Sequence, residues 1–264
     1  MSHGINTAVV QGYREGVLNA VSLTVNQKYS PDAAEIAQVL PDLAVGLHIN
    51  LTLGSCVSDP RKIPLLVDDK GQFKCGFTNL LLISMMSPAA LAEQVQIEIE
   101  AQIQRARQWN LTLTHIDSHR HTHMIPGIFR IVQKLAQQHD IRRIRVMNEV
   151  LANSLWQNKN LSFLLDGSFV KWLVLKICAY LNNHPTDTYF YSLLYAGQLF
   201  PHRIHNVRVP SHYKAIEFCM HPSIVSIDLD RMNELPNTDI ISPNREKEME
   251  TILNRRLWDD SEQD

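Results

Sequence analysis

Short apolar runs alternating with helical segments constrain this chain more than any other feature. Leu43–Leu51 (LAVGLHINL) is brief and apolar, as a parallel strand buried on both faces requires, and Thr112–Asp117, Ile144–Met147 and Ala215–Met220 repeat the form. Val17–Val25 (VLNAVSLTV) also favours an extended backbone. Helical spacing fills the gaps between these runs. Ile5, Val9, Val10 and Tyr13 lie on one helix face that Gly16 terminates, and Ser30-Pro31-Asp32 opens a helix through Leu40. Ser87-Pro88 starts the strongest helix, whose Leu91, Val95, Ile99, Ile103 and Ala106 trace one apolar stripe. Pro126 opens another through His139, and Asn244–Arg256 is a charged terminal helix. Repeated strand-then-helix units with apolar strands predict an α/β fold on a parallel sheet, closed as a barrel or open and doubly wound.

Asp68-Asp69-Lys70-Gly71 marks a turn in an inserted hairpin or loop, and Asn148–Arg208 resists assignment apart from the apolar helix Phe169–Leu181. That helix is too short for a membrane span and carries Lys171 and Lys176. The 264 residues predict one large domain over 1–258, followed by a disordered tail over 259–264. A formal charge of −2 offers neither the basic footprint of a nucleic-acid binder nor a polybasic membrane patch. Four dispersed cysteines without a C-x-x-C pair, and no apolar leader at the N-terminus, point to the reducing cytoplasm.

The candidate chemistry lies in histidines. His115, His119, His121 and His123 fall within THIDSHRHTHMIPG, at the point where a strand runs into the loop before a helix. On a strand, His115, Asp117 and His119 share one face. The carboxyl-terminal rim of the strands is where α/β folds build their sites. His48 in GLHINLT and His221 in EFCMHP stand at or just beyond other apolar runs. Neutral imidazole is the commonest metal ligand, and an ion with open positions activates water and polarises a carbonyl. Asp117 could orient a histidine from behind or ligate directly. Taken alone, His48 would read as a hydrogen-bonded core histidine and His221 as the end of a strand before Pro222. His139 and the remaining histidines read as surface groups, and Glu98 and Glu100 as a solvated helix flank. No G-x-S-x-G, H-E-x-x-H, P-loop or G-x-G-x-x-G motif is present.

Taken in order, GINTAVVQGYREGVLNAVSLTVN, VGLHINLTLG, THIDSHRHTHMIPGIF, EFCMHP and NREKEME resemble the YdjC-like carbohydrate deacetylases, which include chitooligosaccharide deacetylases. The resemblance implies a distorted (β/α) barrel, similar to a TIM barrel, and a divalent metal, Mg or Zn, with His48 and His119 as ligands. It implies N-acetylated sugars as substrates and leaves a homodimer open. Asp117 and His221 match positions expected to take part in catalysis, and His121, His123 and Arg145 positions expected to bind substrate. One departure is plain. The family's first strand ends in Asp-Asp-Phe-Gly, and no residue here matches it, so the chain as written is expected to lack that strand and to be impaired. A non-catalytic sugar-binding protein, and a glycoside or phospho-sugar hydrolase, stand as alternatives.

Overall fold

The computed structural model describes residues 2–158, 162–164, 167–205, 207–229, 232, 238–254 and 257–258. The expected tail over 259–264 lies outside them. In chain order the elements are α1 (His3–Arg14), β1 (Ala20–Leu23), α2 (Ser30–Gln38), β2 (Ala44–Ile49), α3 (Phe77–Met86), α4 (Pro88–Gln108), β3 (Leu113–Ser118), α5 (Pro126–Gln138), β4 (Arg143–Ile144), α6 (Leu151–Asn158), α7 (Ser168–Asn182), β5 (Thr188–Tyr191), α8 (Pro201–Ile204), β6 (Ala215–Phe218), α9 (Val225–Leu229) and α10 (Pro243–Leu253). The chain divides into two compact units, one built from Asn19–Arg145 and the other from Ser2–Leu18 with Val146–Asp264.

The first unit carries a four-stranded sheet in the order β1-β2-β3-β4, with every neighbouring pair parallel. This is the parallel α/β architecture that the alternating apolar runs predict. Leu47, Ile49 and Ile116 are fully buried in the sheet, and Leu91, Val95, Ile99, Ile103 and Ala106 of α4 meet them as one buried stripe. Each such aliphatic side chain contributes about 1.5–3 kcal/mol relative to exposure. Gly46 of β2 stands opposite His115 of β3, and a Cβ there would collide with the imidazole ring. The glycine therefore makes room for the ring to lie across β2.

Four features depart from the sequence reading. The strand expected over Ile144–Met147 pairs only at Arg143–Ile144. Helix α3 carried no capping signal, since its side chains are apolar on nearly every face, and only Leu80 is buried. Glu98 is not a solvated flank but is fully buried on α4. It accepts from the backbone N–H groups of Val57 and Ser58 at 2.9 and 3.0 Å, from Ser58 Oγ at 2.7 Å and from Gln102 Nε2 at 2.8 Å. Gln102 in turn donates to the Asn50 carbonyl at 2.7 Å and accepts from its N–H at 3.1 Å. The side chains of α4 thus continue the hydrogen bonding of β2 past its end and pin the loop that follows. His139 is not a surface group either: its side chain is 9% exposed and its Nε2 lies 2.7 Å from Glu100 Oε2.

In the second unit, β5 pairs in parallel with β6. Tyr189 and Tyr191 are buried between this ribbon and Leu199 and Ile204. Helix α1 belongs to this unit. Ser2 caps it by accepting from the Ile5 N–H, and buried Asp228 accepts from Ser2 Oγ at 2.6 Å and from the Gly4 N–H at 3.1 Å. A carboxylate at that helix start also complements the positive end of its dipole. Among the described residues, no helix is long and apolar enough to cross a membrane.

Candidate metal centre

Adjacent strands deliver the first pair of groups. In the β2/β3 register His48 stands beside Asp117, and His48 Nδ1 lies 2.9 Å from Asp117 Oδ1. A carboxylate can only accept, so Nδ1 carries the proton and the Nε2 lone pair is left for a ligand. The other Asp117 oxygen is ion-paired with Arg145 Nη1, just past β4. Asp117 is 1% exposed. Burial alone would raise its carboxyl pKa, but Arg145, His48 and His115 together outweigh it and hold the group well below the usual carboxylate range.

His119 is the first residue beyond β3. Its ring centre lies 5.9 Å from that of His48, with the ring planes at 68°. Two imidazoles on one ion, each at about 2 Å through nitrogen, have ring centres roughly 5–6 Å apart. The pair thus fits two positions of a divalent centre, and the carboxylate behind His48 is the outer-shell partner that such ligands use. Among the described residues, no group of three His, Cys, Asp or Glu side chains is arranged around a common ion. Among the described residues, the pair His48 and His119 thus offers two imidazole positions.

After His119 the backbone takes two consecutive left-handed residues, Arg120 (φ 55°) and His121 (φ 56°), before Thr122–Met124 turn inward and Pro126 starts α5. Such conformations cost a non-glycine residue about 1 kcal/mol or more each. They turn the chain sharply, leaving Arg120 exposed and His121 half-buried at the end of the sheet. His123 is fully buried. Ser118 Oγ accepts from the His123 N–H at 2.9 Å and lies 2.6 Å from its Nδ1, while Nε2 lies 3.0 Å from the Arg145 carbonyl oxygen. The carbonyl needs a donor, so Nε2 is protonated and Nδ1 accepts from the serine hydroxyl. Burial, the largest influence, pushes this imidazole down to about 4 despite Asp117 nearby.

His115 has the opposite tautomer. Thr114 Oγ1 donates to the Val45 carbonyl and so accepts from His115 Nδ1 at 2.8 Å, while Ser22 Oγ lies 3.1 Å from Nε2. This histidine shares the strand face of Asp117 but cross-links β1, β2 and β3. In the second unit, His221 follows β6 with its side chain 43% exposed. Buried Glu248 of α10 accepts from its N–H at 2.6 Å, and Arg245 Nη1 donates to its carbonyl at 3.1 Å. The sequence reading missed Ser118, Gln102 and Glu98 as supports. A serine five residues before a histidine, and polar groups at helical spacing beside an apolar stripe, were the only signals available.

The sequence model of the YdjC-like protein family matches residues 1–263. The chain belongs to the YdjC-like family. Among curated members, a carbohydrate deacetylase of Thermoanaerobacter pseudethanolicus is 34% identical over 141 residues, which is 53% of this chain and 54% of that protein. A carbohydrate deacetylase of Brevibacillus brevis is 39% identical over 140 residues, 53% of each. A chitooligosaccharide deacetylase of Salmonella paratyphi B is 33% identical over 156 residues, 58% of each. The matched stretch thus spans little more than half the length of these relatives. A crystal structure titled as a putative cellobiose-phosphate cleavage protein from Enterococcus faecalis superimposes with a TM-score of 0.62 at 19% identity, covering 97% of this chain and 90% of that one. At that identity the likeness shows a shared fold alone.

Proposed function

We propose that this YdjC-like chain is a metal-dependent hydrolase that removes N-acetyl groups from sugars, with His48 and His119 holding a divalent ion, Mg or Zn. The observation that carries the reading is the placement of these two imidazoles 5.9 Å apart at the carboxyl ends of neighbouring parallel strands, with His48 Nδ1 engaged from behind by Asp117. The names of the curated relatives supply the substrate class. An ion bound there supplies Lewis-acid polarisation of the acetyl carbonyl and of water. The chain's own groups supply the rest. Asp117 fixes the His48 ring, His119 presents its imidazole from the turn after β3, and His121 on the same turn is assigned to the sugar. Protonation of the departing amine is the step that general acid catalysis accelerates about 10²–10⁴-fold.

The direct test is acetate release from N-acetylated chitooligosaccharides, measured with added Mg²⁺ or Zn²⁺, after chelation, and in His119→Ala. Release that depends on the ion and disappears in the variant is expected. Release that survives chelation removes the metal from the reading, whereas glycosidic cleavage without acetate replaces it with carboxylate-pair chemistry.

A further inference from the structure

Arg145 makes two of the contacts that fix this site, one through its side chain and one through its backbone. Its Nη1 pairs with Asp117 Oδ2, and Asp117 Oδ1 faces His48 Nδ1 at 2.9 Å. Its carbonyl oxygen receives the Nε2–H of His123, whose other nitrogen is held by Ser118. A group intended to contact sugar should present its guanidinium to solvent. The Arg145 side chain is instead 8% exposed and directed at a carboxylate that is 1% exposed. His123 is likewise closed to solvent with both ring nitrogens engaged.

In such a dry pair, removing the cation leaves a buried carboxylate that must find another arrangement. Asp117 Oδ1 already meets His48 Nδ1, so any turn of the carboxylate moves that contact as well. The planar guanidinium also fixes the direction of the oxygen it binds, which a lysine ammonium does less well. We propose that Arg145 is a positioning residue: by holding Asp117 in one orientation it sets the His48 ring with Nδ1–H on the carboxylate and Nε2 presented to the metal. The consequence for the ion rests on the metal reading of His48, but the ring orientation itself does not.

The test uses the full chain, ¹⁵N-labelled and metal-free, with long-range ¹H–¹⁵N spectra in which His48→Gln assigns the ring. In the wild type, Nδ1 is expected to be protonated and Nε2 bare. In Arg145→Met the His48 signals are expected to move toward a mixture of tautomers, and calorimetry with Zn²⁺ or Mg²⁺ should show roughly 10- to 100-fold weaker binding. Arg145→Lys should fall between the two. Asp117→Asn should produce a similar loss, and adding Arg145→Met to it less than about a further twofold, because the arginine acts through that carboxylate. A wild-type His48 protonated at Nε2, or an Arg145→Met chain with unchanged His48 signals and affinity, overturns the proposal. If the wild type binds neither ion, the metal reading of His48 falls while the spectra still decide the role of Arg145. Should Arg145→Met fail to fold, Arg145→Lys and Asp117→Asn carry the same comparison.

Discussion

Asp117 and His123 are both closed to solvent, yet they titrate in separate windows, so acid treatment should resolve them. The pKa of His123 is pushed down to about 4 from an ordinary 6.5 by burial. As the pH falls, the unfolded chain therefore takes up this proton before the folded one does. The stabilisation associated with the neutral ring is complete above about pH 6.5, declines across the interval and is gone below about pH 4; at full size it is about 3 kcal/mol. Asp117 is also depressed, but its contribution fades only below the ordinary carboxylate range. Urea midpoints at pH 7, 5.5 and 4.5 should fall steeply for the wild type and less steeply for His123→Gln. Parallel curves would sink this account. His48 and His119 stood out by their positions at the ends of apolar runs, but their pairing as ligands came from the family resemblance; the structure brings their ring centres to 5.9 Å. The inward roles of His123 and Arg145 were not legible. Their partners are each other and Ser118 and Asp117, and a sequence shows that these groups exist without showing which way they point.

At the scale of elements, what the sequence conveyed followed periodicity. The stripe on α4 and the short apolar strands β2 and β3 were legible because burial imposes a spacing on them. Helix α3 has no such contrast between faces, and β5 lay in a stretch whose alternation is weak, so neither was anticipated. The network around Glu98 was illegible for a different reason: the donors that Glu98 accepts from at Val57 and Ser58 lie on a loop some forty residues away in sequence. This arrangement predicts a large effect. Each buried donor left without an acceptor costs about 1–3 kcal/mol. Glu98→Ala, which strands both N–H groups and the Ser58 hydroxyl, should thus destabilise the first unit by at least about 3 kcal/mol. Amide exchange should quicken at Val57 and Ser58 well before it does in β2. A variant within about 0.5 kcal/mol of the wild type would show that water replaces the carboxylate without penalty.

For the molecule as a whole, ligand binding and stability are linked. An ion held by His48 and His119 at about a hundredfold its Kd adds about 2.7 kcal/mol to the folded state. For a chain of this length that corresponds to a rise in Tm of roughly 5–10 °C. Calorimetric scans with and without Zn²⁺ or Mg²⁺ should show the shift in the wild type and not in His48→Ala; equal shifts in both would place the ion elsewhere. By its contacts the chain gathers into two units, with α1 grouped with Val146–Asp264. The Asp228 carboxylate that anchors Ser2 and Gly4 lies more than two hundred positions downstream of them. During synthesis from the amino end, α1 must therefore wait for more than two hundred further residues before its docking partner exists, while the segment between can settle at once.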